Sequence, residues 1–260
     1  MAKTALITGG AKRLGKAIVL HLAAKGVNVV IHYSSSAKEA EQTAQQAIAF
    51  GVEAAIVHGD LLDESDTKAL IDRAVDAIGG PLDVLINNAS IFEYDNLETA
   101  SFESWDRHIN SNLRAPVFLT QAFARQAPQA VNDENGEPVA QACVINMVDM
   151  RVKKLTPEFA TYTLAKSGLW TFTQTAAQFL APHIRVNGIG PGPTLIGTRQ
   201  SETHFARQRA ATILERGSNP EEICKAMDFI LDIDGLTGQL ICMDGGQHLS
   251  WKTQDVLGVE

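Results

Sequence analysis

Thr4-Ala5-Leu6-Ile7-Thr8-Gly9-Gly10-Ala11-Lys12-Arg13-Leu14-Gly15 decides the fold. The run up to Thr8 is short, apolar and β-branched, the character of a buried strand. It leads straight into a glycine-rich turn, and from Leu14 to Lys25 apolar residues recur at helical spacing (Leu14, Ile18, Leu22). Glycine lets the chain turn tightly and approach a ligand closely. The helix behind it offers free amides and a partial positive charge to a pyrophosphate. A plain tight turn is the competing reading, and the strand–turn–helix context argues against it.

Moving outward, strand-like runs recur at Val27–Tyr33, Glu53–His58, Val84–Asn87, Ala142–Met147, Ile184–Ile189 and Gln239–Met243. Most are apolar throughout, as strands buried on both faces require. Helical stretches lie between them: Ala37–Phe50, Ser65–Ile78, Phe102–Gln126 and Thr161–Leu180. This alternation predicts an α/β fold: one doubly wound Rossmann-type domain over 1–250, about seven parallel strands with helices on both faces. A short tail, 251–260, follows. Pro128–Gln141 is polar and turn-rich and reads as an exposed loop. Pro191–Gly217 lies at the carboxyl end of a strand, where a substrate loop belongs.

The chain has 260 residues, a formal net charge of −8 and a pI of about 5.4. Such an acidic balance argues against nucleic acid or an anionic membrane as partner and points to a small molecule. Cys143, Cys224 and Cys242 show neither metal spacing nor a disulfide framework, so a reducing compartment and no metal are expected. The N-terminal apolar run is too short for a signal peptide, and a cytoplasmic location is expected.

An enzyme selective for NAD places Asp or Glu at the tip of the second strand to hold the ribose 2′-hydroxyl. Here the tip reads Tyr33-Ser34-Ser35-Ser36, without a carboxylate. The hydroxyls, with Lys12 or Arg13 supplying charge, suit a 2′-phosphate, so NADPH is the expected cofactor. Ser34–Ser36 also suits the cap of the next helix. Tyr162 and Lys166 stand at i and i+4, on one helical face. A nearby ammonium is expected to lower the phenol's pKa of about 10, so that Tyr162 can supply a proton as hydride arrives.

Together these residues resemble the short-chain dehydrogenase/reductase family from about Lys3 to Leu249. The turn matches TGxxxGxG with Gly9, Leu14 and Gly15, but Arg13 replaces the middle glycine, as in the family's pteridine reductases. The resemblance implies that Asp60, beside Leu61, bonds adenine, and that Asn87-Asn88-Ala89 approaches the adenine ribose. It implies that Lys166 holds the nicotinamide ribose and that Asn112 organises a proton path to that lysine. It also implies that Pro191 and Gly192 carry backbone contacts to the nicotinamide amide. A helix cap is the simpler reading of Asp60 and of Asn112. The His32-Tyr33 pair is similar to the pteridine reductases too, although Ser35 stands where they commonly have a basic residue.

Asp149 is the informative departure. Thirteen residues before the tyrosine, carbonyl reductases of this family place a serine. An ionised aspartate would repel a developing oxyanion. A carboxylic acid that shares protons with a tyrosine suits reduction of a C=N bond, where nitrogen must be protonated. Asn146-Met147-Val148-Asp149 closely resembles the pteridine and dihydromonapterin reductase branch. So do Ser90 and Phe92, the latter expected to stack on a pterin, with burial in the core as its simpler reading. Arg13, Ser90, Phe92, Asp149 and Tyr162 are thus the expected substrate contacts. The resemblance implies NADPH-dependent reduction of a dihydropterin (dihydromonapterin, dihydrobiopterin or dihydrofolate) by a homotetramer. The alternatives are a ketone or 3-oxoacyl thioester reductase, and a non-catalytic NADPH-binding regulator. His21, His108 and His204 are assigned no chemistry.

Overall fold

The computed structural model describes residues 3–197 and 200–253, so positions 198–199 of the expected substrate loop and the tail from 254 lie outside the described residues. The elements follow the chain as β1 (Thr4–Ile7), α1 (Arg13–Ala24), β2 (Asn28–Tyr33), α2 (Ala37–Ile48), β3 (Ala54–His58), α3 (Glu64–Ile78) and β4 (Val84–Asn87). Next come α4 (Phe102–Ile109), α5 (Ala115–Gln126), β5 (Val131–Asn132), β6 (Pro138–Val139) and β7 (Ala142–Met147). The chain continues through α6 (Ala160–Leu180), β8 (Ile184–Pro191), α7 (Glu202–Ala210), α8 (Pro220–Asp232) and β9 (Leu240–Met243).

Seven strands form one sheet in the order β3-β2-β1-β4-β7-β8-β9, every neighbouring pair parallel. β1, β4 and β7 are buried along their whole length, which is why their sequences do not alternate. Ile18 and Leu22 of α1, Ala44 of α2 and Met227 of α8 pack on one face. Leu70 of α3, Leu119 and Phe123 of α5 and Ala177 of α6 pack on the other. The strand order reverses between β1 and β4, and the crevice outside the carboxyl ends of the strands there is where an open α/β sheet binds ligands.

The expected single helix Phe102–Gln126 is in fact three pieces. A π-helical turn, Asn110–Arg114, separates α4 from α5. Pro116, at the start of α5, accounts for the wider turn. It has no N–H for the Asn112 carbonyl four residues back, and its ring would crowd that carbonyl. Asn112 therefore lies inside the turn and caps nothing. The loop 128–141 carries a small hairpin, β5 with β6, whose Asp133 Oδ1 accepts from the Asn135 and Glu137 amides at 2.8 and 2.9 Å. No helix among the described residues is long and apolar enough to cross a membrane.

Candidate active site

The glycine turn is held from two sides. Asn88 Nδ2 donates to the carbonyls of Thr8 (2.8 Å) and Gly9 (3.3 Å), while Thr8 Oγ1 accepts from the Asn88 and Ala89 amides. The Gly9 amide donates to Nδ1 of His32 at 3.0 Å, and His32 Nε2 reaches the Gly59 carbonyl at 3.0 Å. His32 is 2% exposed, and burial pulls its pKa down to about 4. It is therefore neutral, accepting at Nδ1 and donating at Nε2. Gly9 needs its φ of +61°, and a Cβ on Gly15 would stand 2.1 Å from the Gly9 carbonyl oxygen. Lys12 is the N-cap of α1 and offers no side-chain acceptor, so the first-turn amides are left without a side-chain cap.

The residues expected around the adenosine end lie together along the same edge. Lys12 is 3.9 Å from Glu39. Tyr33 meets His58 edge-on at 5.5 Å. Ser34 and Ser35 are exposed, and Ser36 is the N-cap of α2 without a side-chain cap bond, so the capping alternative fails for its hydroxyl. Asp60 does not cap α3 either. Its Oδ1 accepts from the Leu62 amide at 3.0 Å, and Asp63 is the cap. The Leu61 side chain is buried in the core.

A cleft of about 290 Å³ joins Arg13, Leu14, Asn88, Ser90 and Phe92 to Asp149, Tyr162, Lys166, Pro191 and Gly192. β7 delivers Asp149 in extended conformation, and its Oδ1 accepts from the Arg151 amide at 2.8 Å. Tyr162, in the first turn of α6, donates to Asp149 Oδ2 at 2.8 Å. Lys166 lies one turn further on, 2% exposed, its Nζ donating to the Met147 carbonyl at 2.7 Å.

The electrostatics differ from the expectation of a lowered phenol pKa. Burial, and then the neighbouring Asp149 carboxylate, push the Tyr162 phenol well above 10. Burial also raises the Asp149 carboxyl, against the bonds from the Arg151 amide and Tyr162. Lys166 is pulled down to about 8 by burial, with Asp149 opposing. Its ammonium sits 5.8 Å from the centre of the tyrosine ring and bonds Met147 instead of the phenol. A dry site with a carboxylate nearer than the ammonium holds the phenol protonated.

Phe92 is not a core residue. It is half-exposed at the cleft, stacked on Phe159 at 4.4 Å and 9°, and edge-on to Tyr162 at 4.7 Å. Asn112 is fully buried, and its side chain pairs with Ile91 in both directions, accepting from the amide at 2.8 Å and donating to the carbonyl at 2.7 Å. It therefore fixes the segment between Ser90 and Phe92. Arg13 has φ +54° and donates to the Ile196 carbonyl at 2.6 Å, bridging the glycine turn to the substrate loop. Phe159, Arg151, Asp95 and Leu195 were not singled out in the sequence. Only Arg151, two residues past Asp149, carried a local signal. No group of His, Cys, Asp or Glu among the described residues could hold a metal ion.

A larger hollow, about 720 Å³, lies elsewhere, on the α5–α6 surface between Gln121, Ala124, Phe172, Phe179 and His183. It contains no acid–base pair, so the smaller cleft is the chemical one.

A family model described as short chain dehydrogenase matches residues 3–207. A 3-oxoacyl-[acyl-carrier-protein] reductase of Synechocystis is 31% identical over 250 residues, covering 94% of this chain and 96% of that protein. The FabG 3-oxoacyl reductase of Staphylococcus aureus is 29% identical, covering 96% and 99%. Among solved structures, the FolM alternative dihydrofolate reductase 1 of Brucella canis, complexed with NADP, superposes with a TM-score of 0.90 at 41% identity, covering 98% of this chain and 97% of that one.

Proposed function

Since this chain belongs to the short chain dehydrogenase family and is an NADP-dependent oxidoreductase, we propose that its substrate is a dihydropterin, reduced at a C=N bond. Dihydromonapterin, dihydrobiopterin and dihydrofolate are the candidates. The observation that carries this reading is the Asp149 carboxyl 2.8 Å from the Tyr162 hydroxyl. Both groups are pushed toward their protonated forms by burial. Such a pair reaches neutral pH with a proton to give, which a ring nitrogen needs and a serine could not supply. The 41% identity to the Brucella dihydrofolate reductase supports the same reading.

The donor set fits a phosphorylated dinucleotide. The first-turn amides of α1, Lys12 and Arg13 take the pyrophosphate, and Ser34–Ser36, with no carboxylate among them, take the 2′-phosphate. Asp60 and the backbone of Leu61 take adenine, Asn88 and Ala89 its ribose, and Pro191 and Gly192 the nicotinamide end. When bound, NADPH supplies the hydride. Tyr162 gives the proton, Asp149 shares and replenishes it, and Lys166 takes the nicotinamide ribose. Asn112 acts through Ile91 on Ser90 and Phe92, while its carbonyl, deprived of an α-helical donor by Pro116, is the acceptor for the water path to Lys166. Phe92 stacks on the flat ring. The exposed Phe179 of α6, beside the α5–α6 hollow, lies on a face suited to association of identical subunits.

The test is NADPH oxidation by the purified protein with dihydropterins, ketones and a 3-oxoacyl thioester. Turnover of dihydropterins is expected. Turnover of ketones or thioesters alone would overturn the reading in favour of the carbonyl reductases that the 31% relative represents. Asp149→Ser is expected to lose dihydropterin turnover and keep NADPH binding; retained turnover would contradict the role given to the carboxyl.

A further inference from the structure

We infer that Asp95, His108 and Thr161 form a buried positioning network that aligns the two walls of the cleft, the Ser90–Phe92 segment and the first turn of α6. The inference rests on Tyr162 being the proton donor. Nothing in the family resemblance gives these three residues a role, and the sequence assigned His108 no chemistry.

The hydrogen-bond directions are forced, starting from a group that can only donate. The Glu93 amide gives its hydrogen to His108 Nε2 at 3.1 Å. His108 must then carry its own proton on Nδ1, which faces Thr161 Oγ1 at 2.7 Å. With that donor accepted, the Thr161 hydroxyl turns its hydrogen to Asp95 Oδ2, a close contact. Ser104 of α4 donates to the same oxygen at 3.0 Å. His108 is fully buried, and desolvation pulls its pKa below 6.5, which keeps the ring neutral and this order of donors intact.

Asp95 also ends α6. Its carbonyl accepts from the Phe159 and Ala160 amides at 2.6 and 3.4 Å, and its Oδ1 accepts from the Thr161 amide at 3.2 Å. Phe159 itself sits at φ +57° and has no side-chain cap to offer. A residue 66 positions upstream thus takes the first-turn amides that a local cap normally takes. The next residue after Thr161 is Tyr162, and the His108 ring meets the tyrosine ring edge-on at 5.8 Å.

The same network holds the opposite wall. α4 anchors the segment after Phe92 through His108 to the Glu93 amide and through a two-pronged Arg107–Glu93 pair at 2.9 and 3.1 Å. Displacing either wall moves Phe92 against Tyr162. One histidine therefore faces both: Nε2 toward the substrate-stacking segment, Nδ1 toward the helix with the acid.

That division gives a test in which two variants separate the two ties. His108→Gln keeps an acceptor near the Nε2 position and loses the donor to Thr161. His108→Asn keeps a donor near the Nδ1 position and loses the acceptor for Glu93. The expected result is a split: His108→Gln lowers kcat by about tenfold with KM within about twofold, and His108→Asn raises the KM of the oxidised substrate by about tenfold with kcat nearly unchanged, as loss of one buried orienting bond on each side implies. Should His108→Gln fail to fold, Thr161→Val must lower kcat and Thr161→Ser must restore it. In protein carrying fluorotyrosine, the fluorine resonance of Tyr162 should move in His108→Gln and stay in His108→Asn. Equal effects of the two histidine variants, a reversed split, or unchanged kinetics with only a lower Tm would overturn the inference. If ketones but not dihydropterins are turned over, the proposed substrate falls, while the split read on the ketone still decides the network. If nothing is turned over, the fluorine resonance decides it.

Discussion

His32 ties the stability of the cofactor edge to pH, and the size of that tie follows from its burial. Its ring is 2% exposed, accepts from the Gly9 amide and donates to the Gly59 carbonyl, and titrates at about 4 in the folded protein. In the unfolded chain it returns to about 6.5. Between those values the unfolded state binds one more proton than the folded state. Stability attributable to His32 is therefore fully present above about pH 6.5 and lost as pH falls toward about 4. The gap corresponds to about 3 kcal/mol, at about 1.4 kcal/mol for each pH unit. Protonation would also place a hydrogen on Nδ1 against the Gly9 amide, opening the turn proposed to hold the pyrophosphate. The assay is urea unfolding from about pH 7 to about pH 4, run on wild type and His32→Asn, which keeps an acceptor for Gly9 but cannot titrate. The variant is expected to be less stable at neutral pH by about 1–3 kcal/mol, because the Gly59 carbonyl loses its donor. Other groups that titrate in this range are common to both proteins, so the difference isolates His32. The wild-type advantage should shrink by about 3 kcal/mol across the window. Parallel stability curves would refute the argument from burial.

Three further outcomes are expected. Gly15→Ala drives a Cβ to 2.1 Å from the Gly9 oxygen and 2.8 Å from Asn88 Nδ2; it should cost about 1–3 kcal/mol in thermal unfolding and weaken NADPH at least about tenfold in a fluorescence titration. Phe92→Ala should raise KM for a dihydropterin by about tenfold while leaving NADPH affinity unchanged, since stacking on a flat ring is worth about 1 kcal/mol or slightly more; an equal rise for a small ketone would mean that the ring only fills space. Phe179, which is 86% exposed on α6, should govern self-association, so that Phe179→Glu sediments as a smaller species than wild type if this face joins subunits.

What the sequence made legible was whatever is set by short spacing. The glycine turn, the Tyr162–Lys166 pair and the end-of-strand Asp149 are local patterns, and the fold places all three at one cleft. The π turn was missed, the stretch Phe102–Gln126 being read as one helix, although Pro116 four residues after Asn112 was a local signal for a break. The Asp95–Thr161–His108 network carried no such signal, because its bonds span 66 and 53 residues and exist only once α4 lies beside α6. The bond from Arg13 to Ile196, 183 residues away, was hidden for the same reason. The direction of the Tyr162 titration was misjudged because spacing brings Lys166 near, whereas burial and the Met147 carbonyl decide what the ammonium does.

Overall likeness does not choose the substrate. The relatives that reduce 3-oxoacyl thioesters match nearly the whole chain, as does the dihydrofolate reductase. The choice turns on two oxygens of one residue. Asp149 Oδ1 is fixed by the Arg151 amide, which holds the carboxyl plane still. Oδ2 is left to the Tyr162 hydroxyl at 2.8 Å. In a dry cleft, carboxylate and phenolate cannot both be charged at so short a distance. The free site therefore retains at least one proton between them across the neutral range. A ketone arriving there while the carboxyl is ionised would develop negative charge on oxygen against an acceptor. A ring nitrogen would take its proton from the Tyr162 hydroxyl while Asp149, entering the step protonated, passes its own to the phenol oxygen, so that the pair gives up one of two protons and keeps the other, the lost one to be regained from solvent. On the proposed reading, the geometry that would penalise a carbonyl would serve an imine, and it stems from a carboxyl at position 149, where the resemblance to carbonyl reductases implies a hydroxyl.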